Sequence, residues 1–232
     1  MLTHHGTRLV ERVTPLLSEL RSVFLEDNAL RKGKIILGVS EAILASWGST
    51  LFSQVRDLMP SVEFEFHAQR SPVVLDRLRS GEYMVGICTG SPDADTDLVS
   101  EVIRQEPMVI IPSGLKPLKY RSGDPLDVMT IESRSGAWGS IEENMQRLSL
   151  NRSTSLESFF AVAQMALSDF GHGLVPTGVA KTLGIAEKKL IKLSAEELSR
   201  PVRFVARKSM FAQPLVRTFY QEVSVLSAAI DG

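Results

Sequence analysis

Lys34–Ser40 reads KIILGVS, an apolar run of strand length, and the segments behind it set the architecture. Ala42–Met59 follows with Ile43, Leu44, Trp47, Leu51, Val55 and Leu58 at helical spacing, and Pro60 closes that helix because it cannot donate to the next turn. Val62, Phe64 and Phe66 then alternate with Glu63, Glu65 and His67, the period of a half-buried strand. Ser71-Pro72 opens a second helix through Val73, Val74, Leu75 and Leu78, with Gly81 as its C-cap, and Tyr83–Thr89 (YMVGICT) is a third strand. Strand, helix, strand, helix, strand in that order predicts a parallel sheet with crossover helices.

Outward from this block, residues 90–97 read as loop. Leu98–Ile103 and Met108–Ile111 read as two strands, and Pro112–Asp124 as a loop crossing between lobes. A second α/β series starts at Asp127 (DVMTIES) and continues with a helix over Ser140–Leu148. Thr154 and Glu157 have capping-box spacing ahead of an apolar helix over Leu156–Leu167. Leu174–Pro176, Leu190–Leu193 and Val202–Ala206 are short strands, and Leu215, Phe219, Val223, Leu226 and Ile230 mark an amphipathic closing helix. The prediction is two Rossmann-like lobes, 33–112 with 208–232 and 113–207, joined by two crossover strands. Strand ends and helix N-termini from both would face one cleft, a natural place for a ligand, and an anionic one by the sign of the amide dipoles.

Residues 1–32 follow a different period. Leu9, Leu16, Val23 and Leu30 recur every seven residues, and Val13 and Leu20 fall four residues after the first two, an a/d seam that buries against another helix. Pro15 kinks this helix or starts it afresh, and Asp27 interrupts the seam.

The 232 residues hold 26 Lys+Arg against 27 Asp+Glu, with a pI near 6.4 and a mean hydropathy of +0.05. That balance argues against binding nucleic acid or an anionic membrane by bulk charge. Cys88 is the single cysteine, which excludes an intramolecular disulfide and a thiolate zinc site, and points to a reducing, cytoplasmic setting. No run is apolar enough for a signal peptide or a membrane span. No P-loop, HExxH, GxSxG or GxGxxG motif is present, so neither a cofactor, a metal nor catalysis is expected.

Four segments resemble the regulatory part of LysR-type transcriptional regulators: Leu2-Thr3-x-x-Gly6 leading into the amphipathic helix; Gly33–Ser40; Leu51–Pro60 before a Val/Phe-rich strand; and Leu75-x-x-Leu78-x-x-Gly81-Glu82-Tyr83-Met84-Val85-Gly86-Ile87. The likeness covers essentially the whole chain. It departs from the pattern at Met84, where the family usually has Asp, and at Asp169, which replaces the first glycine of a Gly-x-Gly-hydrophobic-Pro segment. The resemblance implies a fold like type 2 periplasmic binding proteins behind a dimerising linker helix. It also implies a small-molecule effector in the cleft, a homodimer or homotetramer, and contact with promoter DNA, and with RNA polymerase, by way of a winged helix-turn-helix expected ahead of Leu2. A solute-binding protein of a transporter is the alternative on the same fold.

By that resemblance the effector-binding candidates are Ser40, Glu41, Gln69, Arg70, Ser71, Ser133, Arg134, Thr154, Ser155 and Arg203. Several have a second reading. Ser40, Thr154 and Ser155 are also helix-cap residues. Arg70 is either a fixed guanidinium for a carboxylate or a solvated surface side chain, and Arg203 faces either cleft or solvent. His172, between two glycines and without a metal-ligand partner, reads as structural or surface.

Overall fold

The computed structural model describes residues 33–90, 97–132, 138–193, 196 and 198–230, with Thr3, His5, Gly6, Leu9, Arg12, Val13, Thr14 and Leu16 near the N-terminus. His5, Gly6, Leu9, Arg12–Thr14 and Leu16 are helical, as the heptad spacing predicts. Leu9 and Leu16 leave 63% and 62% of their surface exposed, and Val13 36%. The later seam positions Leu20, Val23 and Leu30 lie outside the described residues.

The chain then builds β1 (Gly33–Ser40), a short α1 (Glu41–Ile43), a π-helical turn Leu44–Gly48, α2 (Ser49–Leu58), β2 (Val62–Gln69), α3 (Ser71–Arg79) and β3 (Val85–Cys88). β1 pairs in parallel with β2 and β3, as predicted. The predicted helix over Ala42–Met59 is interrupted at Ser46 (φ −116, ψ −121), whose hydroxyl donates to the Ala42 carbonyl at 2.5 Å. A hydroxyl that bonds back to the preceding turn competes with the regular ladder.

β4 runs unbroken over Leu98–Ile111, where two strands were predicted. It pairs antiparallel with β9 (Ser199–Arg207) from Leu98↔Arg207 to Pro107↔Ser199, with a bulge between Val102 and Arg104. These two long strands make both crossings, and this corrects the reading of Pro112–Asp124 as a crossing loop. Leu115, Leu118 and Tyr120 of that loop pack on the second core, and the Tyr120 hydroxyl donates to the Leu148 carbonyl at 2.9 Å.

The second lobe contains β5 (Leu126–Ile131), α4 (Trp138–Arg147), β6 (Leu150–Leu156), α5 (Phe159–Leu167), β7 (His172–Pro176), α6 (Thr177–Thr182) and β8 (Ile191–Lys192); α7 (Lys208–Phe211) and α8 (Pro214–Ala229) return to the first lobe. The sheet order is β2-β1-β3-β9-β4-β7-β5-β6, with β8 on β4. One core gathers Ile35, Leu37, Val55, Phe204 and Phe219; the other gathers Met108–Ile111, Val128, Ile141, Val162 and Leu174. Met108–Ile111 thus packs with the second lobe, and Val202, Phe204 and Ala206 with the first.

Asp169 has a left-handed backbone (φ 64), a conformation glycine adopts readily, which fits the glycine that the resemblance leads one to expect there. Its carboxylate accepts from Ser113 Oγ at 2.7 Å and pairs with Lys116, and these hydrogen bonds hold its pKa below the usual carboxylate range.

Cys88 is fully buried, and burial pushes its thiol up to about 12. An unfolded thiol titrates near ~8.5, so this group's contribution to stability is complete below that pH and is lost as pH rises toward about 12. At pH 8 the native protein is expected to leave Cys88 unmodified by a disulfide reagent and to react only on unfolding. Immediate stoichiometric reaction of the folded protein would contradict this packing.

Candidate functional site

The parallel strands β1, β2 and β3 of one lobe and β5 and β6 of the other all deliver their C-terminal ends to one cleft. It is lined by Ser40, Glu41, Ala42, Gln69, Arg70, Ser71, Pro72 and Thr89 from the first lobe, and by Ile131, Glu132, Glu157, Ser158, Phe159 and Arg200 from the second. The space between these residues is about 460 Å³, counting the solvent it opens onto.

Its first-lobe wall is a chain of hydroxyls. Ser40 Oγ lies 2.8 Å from Ser71 Oγ, which lies 3.1 Å from Thr89 Oγ1 and accepts the Thr89 N–H at 3.2 Å. All three residues are more than nine-tenths buried. Three hydroxyl hydrogens meet only two oxygen–oxygen contacts, so one hydrogen, on Ser40 or Thr89, has no acceptor among the described residues. On the cleft wall, that hydrogen is left for water or for the acceptor of a ligand. Two longer helices present their N-termini beside it. α3 starts after Arg70 and α5 after Ser158, and neither cap residue makes a side-chain cap bond; Pro72 has no N–H, so the first turn of α3 offers the amides of Ser71 and Val73 to an anion.

Across the mouth, Arg70 Nη1 donates to Glu132 Oε1 at 2.5 Å and lies 3.2 Å from Glu157 Oε2. Arg70 belongs to the first lobe and both carboxylates to the second, so these pairs bridge the cleft. With side-chain exposures of 46%, 23% and 70% they are worth at most ~1 kcal/mol each, weak enough for a ligand to replace.

The floor is different. Glu106 of β4 and Arg200 of β9 are direct register partners, 0% and 2% exposed. Arg200 Nε donates to Glu106 Oε2 at 2.8 Å, with Nη2 at 2.6 Å from the same oxygen. Trp47 Nε1, from the π-helical turn, donates to the other carboxylate oxygen at 3.0 Å, and the Arg200 guanidinium lies 4.9 Å from the centre of the Phe159 ring. Gly178 of α6 is pressed against this cluster, since a Cβ there would come within 3.0 Å of Trp47 and 3.1 Å of Glu106. One buried ion pair therefore ties both crossing strands to a helical turn of each lobe.

Residues 28–225 match the LysR substrate binding domain family. The chain belongs to that family. An HTH-type transcriptional regulator of Vibrio cholerae is 22% identical over 218 residues, which is 93% of this chain and 74% of that protein. Among solved structures, a sulfate-bound variant of the OxyR2 regulatory domain from Vibrio vulnificus is 20% identical, with a TM-score of 0.67 and coverage of 88% of this chain and 99% of that one. The effector-binding domain of QuiR in complex with shikimate is 15% identical, with a TM-score of 0.69 over 85% and 98%. Full-length OxyR from Pseudomonas aeruginosa, also 15% identical, superposes with a TM-score of 0.73 over 100% and 80%. The fold is therefore that of LysR regulatory domains, and the chain is the effector-binding domain of a LysR-type transcriptional regulator.

In this LysR-type domain, Ser40, Glu41, Gln69, Arg70 and Ser71 stand together on the cleft wall. Thr154 and Ser155 do not reach it. They are strand residues of β6, opposite Met129 and Thr130, and the capping-box reading fails because the helix starts later, at Phe159. Arg203 lies in β9 opposite Cys88 and Val102, away from the cleft lining. Ser133 and Arg134 lie outside the described residues. His172 Nδ1 accepts the Ser113 N–H at 3.0 Å, a structural contact. Thr89, Ser158, Phe159 and Arg200 join the cleft without having been singled out for it. Thr89 had a usable signal, a small hydroxyl residue directly behind a strand, whereas Ser158 follows a strand that the sequence does not show. Arg200 had none, because its partner is 94 residues away.

A second groove, on the outer edge of the first lobe, is lined by Leu44, Phe52, Phe64 and Phe66 with Arg56 as its one charge. It lacks the converging donors and acceptors of the cleft. Among the described residues no cluster of His, Cys, Asp and Glu could hold a metal ion, and no helix is long and apolar enough to cross a membrane.

Proposed function

We propose that a small polar effector with an anionic group binds between the lobes and changes their angle, so that the domain senses and does not catalyse. The Ser40–Ser71–Thr89 hydroxyl chain carries this reading, because it leaves one hydroxyl hydrogen on the cleft wall for an incoming acceptor. Arg70 and the open first turns of α3 and α5 stand beside it. An effector that replaces Arg70 at the mouth removes the bridge to Glu132 and Glu157, and the two lobe angles then differ in affinity, as a switch requires.

In the proposed division, residues 1–32 form the end of a winged-helix region and the dimerising linker helix, 33–112 with 208–232 one lobe and 113–207 the other. The packing favours an exchange point nearer Glu106 and Arg200. The exposed stripe of Leu9, Val13 and Leu16 suits a second copy of the chain, so the regulator works as a homodimer or homotetramer in the cytoplasm. Promoter DNA, and RNA polymerase with it, would be met through a winged helix-turn-helix, a part not included in the matched residues.

A thermal-shift screen over amino acids, organic acids, aromatic carboxylates and nucleotides tests the site. A ligand at a hundred times its Kd adds about 2.7 kcal/mol to stability. Arg70→Ala removes a charge-assisted contact of ~1.5–3 kcal/mol, so its affinity is expected to fall ~10–100-fold, with Ser40→Ala weaker in the same direction. Equal shifts in the wild type and both variants would remove the cleft from the account.

A further inference from the structure

The charges around the cleft are unequal. Glu41, Glu132 and Glu157 line it together with Arg70 and Arg200. Arg200 is already taken up by the buried carboxylate of Glu106. Among the described residues that leaves one guanidinium facing three carboxylates, and Arg70 spends its charge on two of them.

We propose that the effector is a zwitterion of the α-amino-acid type, its carboxylate received by Arg70, the hydroxyl chain and the α3 amides, and its ammonium by Glu132 and Glu157. The inference rests on the cleft being the effector site and adds the second charge. A ligand bearing only a negative group takes Arg70 away from Glu132 and Glu157, and leaves both facing an added anion. A ligand bearing only a positive group satisfies those carboxylates but offers nothing to the unmatched buried hydroxyl hydrogen. An ammonium and a carboxylate on one small molecule satisfy both ends. The ammonium replaces Arg70 between Glu132 and Glu157, and the freed guanidinium turns to the carboxylate. In the empty cleft Arg70 thus acts as an internal stand-in for the ligand's cation. The rim carboxylates are partly or largely exposed, so removing their charge spares the fold.

Titration calorimetry on the 232-residue chain tests this with the common L-α-amino acids, each beside the carboxylic acid lacking its amino group and the amine lacking its carboxylate. At least one amino acid is expected to bind ~10-fold or more tightly than both of its analogues. The Glu132→Gln, Glu157→Gln double variant is expected to lose about that factor for the amino acid, while its affinity for the matching carboxylic acid stays the same or rises. The inference is overturned if no amino acid binds at millimolar concentration, if a des-amino acid binds as tightly as its amino acid, or if the double variant binds like the wild type. The two levels separate cleanly: a carboxylic acid whose binding depends on Arg70 sinks the zwitterion and keeps the cleft, whereas ligands indifferent to Arg70→Ala sink the cleft itself.

Discussion

Arg200→Ala is expected to destabilise the domain by ~3–5 kcal/mol, the cost of leaving a buried charge without its partner. Glu106 is fully buried and has two partners, Arg200 and Trp47 Nε1, of which only the indole would remain. The loss is read as a lower urea midpoint. Glu106→Leu with Arg200→Met separates charge from packing, since an apolar pair of similar volume often replaces a buried ion pair without loss. Here recovery is expected to be partial, because the Trp47 N–H would lose its acceptor at ~1–3 kcal/mol. A single Arg200→Ala variant as stable as the wild type would show that the two crossing strands are not held together at this point.

The pair matters for function as well as for stability. Arg200 forms part of the cleft lining, while its partner lies on the other crossing strand, and Trp47 and Phe159 attach the pair to opposite lobes. A rotation of the lobes in response to an effector has to pass through this cluster. Gly178 leaves it little slack.

Phe219→Ala is the second large effect, ~3–5 kcal/mol for a fully buried aromatic. Its ring centre is 5.6 Å from that of Phe64 and 5.9 Å from that of Phe204, so β2 meets the distant C-terminal elements β9 and α8 on one side chain. Such pairs add ~0.5–1.5 kcal/mol beyond the area they bury. Val225→Ala on the same helix, where the side chain is 69% exposed, is expected to stay within ~0.5 kcal/mol of the wild type in the same denaturation measurement. Equal losses in the two variants would contradict the helix orientation.

Parts of this architecture were legible because single segments carry their own signal. β1, β2 and the helices after them combine apolar runs with clear stops at Pro60 and Gly81, and apart from the break at Ser46 they lie where the pattern places them. β6 (LNRSTSL) was not legible. It is an edge strand paired only with β5, its side chains are mostly solvent-facing, and it therefore shows no apolar alternation. The continuity of β4 was hidden by Arg104–Pro107, which are polar or lack an amide hydrogen, although the register with β9 holds through Pro107. The cleft followed the same rule. Ser40, Arg70 and Ser71 could be placed because strand ends are local features, whereas the Glu106–Arg200 pair and the Arg70 bridge to Glu132 and Glu157 exist only once distant segments meet.

The most direct test of the account is a crystal structure of this chain with the tightest-binding compound of the metabolite screen. The account predicts the compound between the lobes, in contact with Arg70 and the Ser40–Ser71–Thr89 hydroxyls, with the Arg70 bridge to Glu132 and Glu157 opened. A compound seated in the Phe52–Phe66 groove, or one lying in the cleft with that bridge intact, would contradict it.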